Sequence, residues 1–118
     1  LGAIHALSHP IGALYNTHHG MTNAVLMPFV LEFNKCQIRT KIENLANYLR
    51  IEDGFDGFML YINRLAKELE IPVTLSGLGI DQLDYNSIIE GALSDPSRFG
   101  NPRKLNSENL RHLLGIAQ

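Results

Sequence analysis

His5, His9 and His19 stand within one short apolar stretch, LGAIHALSHPIGALYNTHHGM, that spans residues 1–21. Imidazole is the commonest protein ligand for transition metals and the side chain whose charge changes most readily near neutral pH. Three of them on otherwise hydrophobic sequence therefore point to a metal-centred active site, and so to an enzyme. Four of the five histidines of the chain fall here, His18 being the fourth. His5 and His9 are four residues apart, a spacing that on a helix places both on one face with Cβ atoms ~5–6 Å apart. His19 follows a turn, Asn16-Thr17-His18-His19-Gly20, and can swing back toward the pair, with Gly20 allowing close backbone approach. A bare HxxxH also arises in ordinary cores; the third imidazole beside a glycine brings the functional reading level with the structural one. Zinc or non-haem iron normally takes a carboxylate among its protein ligands. None stands nearby: Glu32 lies far along the next helix, and Asp53, Asp56 and Asp81 sit in loops. Either one of these folds back, or the remaining ligands lie upstream of Leu1.

The elements that must position these residues are helical by periodicity almost throughout. A short helix over Gly2 to Ser8 is expected to stop at Pro10, and a very apolar one over Met21 to Phe33 to kink at Pro28. Ile38, Ile42, Leu45 and Leu49 mark a third helix that ends before Glu52-Asp53-Gly54. Phe58, Ile62, Leu65 and Leu69 mark a fourth, closed by Pro72. The segment VTLSGLGI reads as a loop, its two glycines outweighing its strand propensity. Asp84 to Leu93 forms a fifth helix with Ile88, Ile89 and Ala92 inward, followed by a Pro/Gly-rich connection from Asp95 to Pro102. Ser107 is expected to cap the last helix, whose Leu110, Leu113 and Leu114 pack inward. The fold class is all-α, a single helical bundle-like domain over residues 1–118.

Composition narrows the function. A net charge of −2 over 118 residues offers no basic field for nucleic acid. Arg98, Arg103, Lys104 and Arg111 are a modest exception, read as a solvated helix-flanking surface. The longest apolar run, Ala24 to Leu31, is far shorter than the ~20 residues of a membrane span. Cys36, the single cysteine, excludes an internal disulfide, reads as a buried structural thiol and makes cytoplasm the default location. Met21, Met27 and Met59 read as core filling and Tyr15 as packing. Leu1-Gly2-Ala3-Ile4 carries no methionine and no polar cap, so upstream sequence is expected, and Leu1 to Ser8 is expected to fray.

The string HALSHPIGALYNTHHGMTNAVLMPFVLEFN resembles the signature of the iron-dependent (group III) alcohol dehydrogenase family: spaced histidines, an HPxGA(L)Y turn, an HGxxNAxxxP helix start and a terminal FN. Downstream, LEIPVTLSGLGI is similar to that family's connection, and DPSRFGNPRKLNSENLRHLL to its D…NPR segment before a final helix. The resemblance covers nearly the whole chain. It implies the C-terminal, metal-binding helical half of a two-domain dehydroquinate synthase-like fold, with an N-terminal dinucleotide-binding domain outside these residues. It also implies an aspartate and a histidine ligand on an earlier helix, with His5 and His19 as the other two metal ligands. His9 then lines the substrate and nicotinamide cleft as a catalytic residue without binding metal, which departs from the three-histidine site. The implied cofactors are Fe2+, or Zn2+ or another divalent ion in its place, with NAD or NADP; the implied substrate is a small alcohol or aldehyde. His18 stands where the family usually has proline and is expected to face solvent. The chain alone is expected to be inactive, and a homo-oligomer is possible through the apolar face that a missing domain would leave. A glycerol dehydrogenase or dehydroquinate synthase is the near alternative, and a stand-alone helical metal-binding or interaction module the alternative of another class.

Overall fold

Pro10 does not end the first helix. In the computed structural model, which describes residues 1–118, α1 runs from Ala3–Tyr15 with Pro10 inside it. A proline inside a helix costs about 3 kcal/mol or more, because it removes a hydrogen bond and crowds the preceding turn. Burial answers that cost: Leu7 and Ile11, on either side of Pro10, are fully buried and contribute about 1.5–3 kcal/mol each. The proline ring also seats against a bare backbone, since a Cβ added at Gly91 would lie 2.7 Å from Pro10 Cβ. The helix therefore continues until Asn16, whose φ of 54° and N–H bond to the Gly12 carbonyl close it.

The other helices are α2 (His19–Phe33), α3 (Lys35–Tyr48), α4 (Gly54–Glu68), α5 (Tyr85–Ser94) and α6 (Ser107–Ala117), with 3-10 turns at Leu75–Leu78 and Pro96–Gly100. There is no strand, so the chain is all-α as the periodicity predicts. α2 is continuous through Pro28. The segment read as a loop carries the first 3-10 turn, and Leu75 from it is fully buried.

One core of 17 buried residues is built from α1, α2, α5, α6 and the two segments that precede α5 and α6. Ile88, Ile89, Ala92, Leu110, Leu113 and Leu114 all point into it, as their spacing predicts. Nothing from α3 or α4 belongs to it. Those two helices pack on each other as a hairpin with its own small buried set, Ala46, Phe55 and Ile62. Of the apolar residues that mark these two helices, Ile62 is buried, whereas Leu45, Leu49, Leu65 and Leu69 are 40–61% exposed.

Other expectations are corrected. The methionines do not fill the core: Met21 and Met59 are half-buried and Met27 is exposed. Cys36 is an exposed thiol on the outer face of α3 rather than a buried one. Asn106, not Ser107, caps α6: its extended backbone lets its side chain accept from Asn109 N–H, while the Asn109 side chain accepts from Asn106 N–H. This reciprocal arrangement satisfies two backbone donors at once, which a serine one residue later does not match. No helix is long and apolar enough to cross a membrane.

Candidate metal centre

α1 carries His5 and His9 one turn apart, and His19 is the first residue of α2. The three rings meet: their centroids are 5.7 Å apart for His5 and His9, 5.5 Å for His5 and His19, and 5.5 Å for His9 and His19. An ion bound at ~2.0–2.1 Å from a ring nitrogen lies ~3 Å from the ring centre, so two imidazoles sharing it at a tetrahedral angle have centres about 5 Å apart. The observed spacing fits that geometry. The four carboxylates weighed above do not join the rings. Glu32 and Asp56 meet instead at Lys35, at 3.8 and 3.6 Å; Asp53 starts α4, and Asp81 is exposed. No three His, Cys, Asp or Glu side chains are disposed to hold an ion by themselves, so the residues here fit part of a site.

The carboxylate that does reach the cluster is Asp95, which the spacing argument missed. Its Oδ2 lies 2.6 Å from His9 Nδ1, while its Oδ1 accepts from Ser97 N–H at 2.7 Å and so starts the 3-10 turn Pro96–Gly100. Burial raises the Asp95 pKa, but the hydrogen bond from His9 and those from Ser97 outweigh it and hold the carboxyl below its usual range. An ionised Asp95 accepts the Nδ1 proton of His9, which fixes the ring and leaves Nε2 as its free nitrogen. The signal available in the sequence was the Asp-Pro of DPSRFGNPR, which marks a turn-starting cap. Its 86-residue separation from His9 hid the contact.

Partial burial, followed by the fields of His19 and His9, lowers the His5 pKa. The neutral imidazole this favours is the form that binds metal. His18 is exposed and serves as the N-cap of α2, with Nδ1 accepting from Met21 N–H at 3.3 Å. It thus supplies by capping what proline would supply by fixing the turn. Thr22, fully buried, ties the same turn: its hydroxyl donates to the His18 carbonyl at 3.0 Å and accepts from the Thr17 hydroxyl at 2.7 Å. Asn23 Nδ2 lies 3.1 Å from His19 Nε2, and Asn23 Oδ1 is buried with no partner. A buried acceptor left unpaired costs about 1–3 kcal/mol, so Asn23 Oδ1 is an unmet polar group beside the His19 ring.

Residues 1–117 match the Fe-containing alcohol dehydrogenase family, C-terminal part. The chain belongs to that family. It is 33% identical to the 1,3-propanediol dehydrogenase of Citrobacter freundii, over 97% of this chain and 31% of the relative. It is 30% identical to the lactaldehyde reductase of Escherichia coli K12, over 99% and 32%. Among solved structures, 1,3-propanediol oxidoreductase superposes with a TM-score of 0.89 at 31% identity, covering all of this chain and 33% of that one. The alcohol dehydrogenase from Oenococcus oeni gives 0.87 at 28% identity, again covering 100% and 33%. The chain thus spans about a third of the length of the Fe-containing alcohol dehydrogenases it matches.

Proposed function

We propose that these residues are the metal-holding helical half of an NAD(P)-dependent alcohol dehydrogenase that interconverts small alcohols and their aldehydes or ketones. The observation that carries this reading is the convergence of His5, His9 and His19, with Asp95 behind His9, in a chain of the Fe-containing alcohol dehydrogenase family. Relatives named for 1,3-propanediol, lactaldehyde and butanol favour a small substrate. His5 and His19 would hold iron or another divalent ion, and the rest of its ligands would come from outside these residues, together with the nucleotide-binding domain. When bound, the ion supplies Lewis acidity at the substrate oxygen and the nicotinamide supplies hydride exchange. His9 has its Nδ1 committed to Asp95, so Nε2 is the atom that faces substrate, accepting or donating one hydrogen bond and orienting the reacting carbon. Asp95 prevents that ring from turning, which keeps donor and acceptor in a reactive geometry.

The test uses the full-length protein. His5→Ala or His19→Ala should remove both bound metal and NAD(P)-linked alcohol oxidation. His9→Ala should keep the metal while slowing turnover about 100-fold, and Asp95→Asn should do the same more mildly, about 10-fold. Stoichiometric metal in the His5→Ala/His19→Ala double variant would overturn the ligand assignment.

A further inference from the structure

The N-cap of α1 is Gly2, which has no side chain with which to cap a helix. The first donor of that helix, the Ala3 N–H, lies on a residue that is 1% exposed, so leaving it unpaired would cost about 1–3 kcal/mol. Its acceptor comes from 98 residues away: Asn101 Oδ1, at 3.2 Å. The same oxygen accepts from Asn34 Nδ2 at 2.9 Å, while Asn101 Nδ2 donates to Asn34 Oδ1 at 2.9 Å and to the Arg103 carbonyl at 2.6 Å. Both lone-pair sites and both protons of the Asn101 amide are therefore used. Only one orientation works, because a flipped amide would set donor against donor at Ala3. Asn34, 5% exposed, sits at the junction of α2 and α3. Arg103 reinforces the junction, its guanidinium 4.0 Å over the Phe33 ring and its Nη1 donating to the Phe33 carbonyl at 3.3 Å. Close approach is built in as well, since a Cβ on Gly100 would collide with the Leu1 carbonyl.

We infer that Asn101 is a positioning residue for His5: through its Oδ1 it caps α1 from across the fold and so fixes the turn that presents this ligand opposite His19. His5 lies in the first turn of α1, two residues and about 3 Å of helix beyond Ala3. An uncapped first turn frays within that distance. His9, a turn further on, is held separately by Asp95 and is insulated from the loss. The amide pair of Asn34 and Asn101 also ties the start of α1 to the end of α2, the helix whose first residue is His19. The FN and NPR strings thus act as one device, set well away from the imidazoles they serve.

The inference rests on the reading of His5 and His19 as ligands, so its experiment carries a control for that reading. In the full-length protein, Co2+ or Zn2+ affinity is measured by chelator competition for the wild type, Asn101→Ala, Asn101→Asp, Asn106→Ala and His5→Ala. Asn101→Ala should weaken metal binding about 10-fold, while kcat of the metal-saturated enzyme stays within about 2-fold of wild type, since His9 keeps its own support. Asn106→Ala, which removes the α6 cap and lowers the melting temperature by destabilising a helix that carries no ligand, should leave the affinity unchanged. Asn101→Asp keeps the acceptor for Ala3 N–H while losing both donors. It should bind metal within about 3-fold of wild type even where its thermal stability falls as far as that of Asn101→Ala, and it can be measured if the alanine variant does not fold. Equal loss of affinity in the aspartate and alanine variants, or in Asn106→Ala, would overturn the inference and leave a merely structural amide. Retention of metal by His5→Ala would instead overturn the ligand reading beneath it.

Discussion

α1 and α3 are near equals in length, 13 and 14 residues, yet α1 buries five residues and α3 one. The contrast extends to the helix starts. α2, α5 and α6 are each capped by a side chain, those of His18, Asp84 and Asn106, and α1 is capped from a distance by Asn101. Neither α3 nor α4 has a side-chain cap, because the Asn34 amide is engaged with Asn101 and Asp53 sits at a φ of 68°. In the first region tertiary packing uses the favourable local signals and offsets the adverse ones, Pro10 and the capless Gly2, so that four helices close on one core and set four side chains, His5, His9, His19 and Asp95, side by side. In the second, a hairpin remains attached with Leu45, Tyr48, Leu49, Leu60 and Tyr61 in solvent. The candidate site lies in the first region.

The largest effect expected from this contrast is in packing. Leu7 is fully buried and Leu65 is 40% exposed, although both look like core positions of amphipathic helices. Leu7→Ala should cost about 2–5 kcal/mol, because the cavity it leaves cannot collapse. Leu65→Ala should stay within about 0.5 kcal/mol. Urea denaturation of this chain followed by far-UV circular dichroism measures both, and similar losses would mean that the hairpin shares the core after all.

That pair also marks how far the sequence could be read. Periodicity located every helix and the inward faces of α5 and α6, because there the apolar stripe and the available partner coincide. On α3 and α4 the stripe is only partly covered, Ile62 being buried and Leu45, Leu49, Leu65 and Leu69 exposed, since amphipathicity states that a face is apolar without stating that anything covers all of it. Pro10 misled for a related reason: a local penalty is visible in the sequence, whereas the burial of Leu7 and Ile11 and the bare backbone at Gly91 that offset it are not. The histidine cluster was legible from an i, i+4 spacing and a turn. Asp95 was not, because nothing local ties residue 95 to residue 9. The Asn101 cap on Ala3 N–H was hidden on the same ground, being equally distant in sequence.

A smaller effect separates the regions by pH. Asp84 caps α5, its carboxylate accepting from Ser87 Oγ at 2.6 Å and Ser87 N–H at 3.1 Å. The hydroxyl bond, then the backbone bond, lower its pKa from the ordinary 3.8, against a weaker opposing effect of burial. A depressed folded-state value means that the unfolded chain takes up the proton first. The stabilisation is therefore complete above 3.8 and drains away as pH falls through 3.8 toward the lower folded value. Asp84→Asn retains an acceptor for the cap but does not titrate, so melting temperature plotted from pH 6 to pH 2 should fall less steeply in the variant. An unchanged acid limb would remove Asp84 from the set of groups that stabilise the packed region. The start of α4 has no corresponding bond to lose.

The smallest expected effect lies in the hairpin and has the opposite sign. Both of its helices end in the same way: Ile51 N–H bonds to the Ala46 carbonyl and Arg50 N–H to that of Asn47, and Ile71 and Glu70 repeat the pattern with Ala66 and Lys67. This paired closure places one residue in the left-handed region, a position where glycine is strongly favoured. Here it is taken by Arg50 at φ 59° and Glu70 at φ 58°. A non-glycine residue pays about 1–2 kcal/mol for that conformation, whereas glycine would give back about 0.4–1 kcal/mol through the greater freedom of the unfolded chain. Arg50→Gly and Glu70→Gly should therefore each stabilise the chain by about 0.5 kcal/mol, and together by about 1 kcal/mol if the two sites act independently. Comparable substitutions at the closed helix ends of the packed region have no such reserve to release, except at Asn16, where asparagine already tolerates a φ of 54°. A rise in the urea midpoint for both hairpin variants, with the denaturant slope unchanged, is the expected result. A fall in either would mean that the Arg50 or Glu70 side chain supports the hairpin in a way its exposed position conceals, and the contrast between a locally satisfied core and a locally strained hairpin would lose its clearest support.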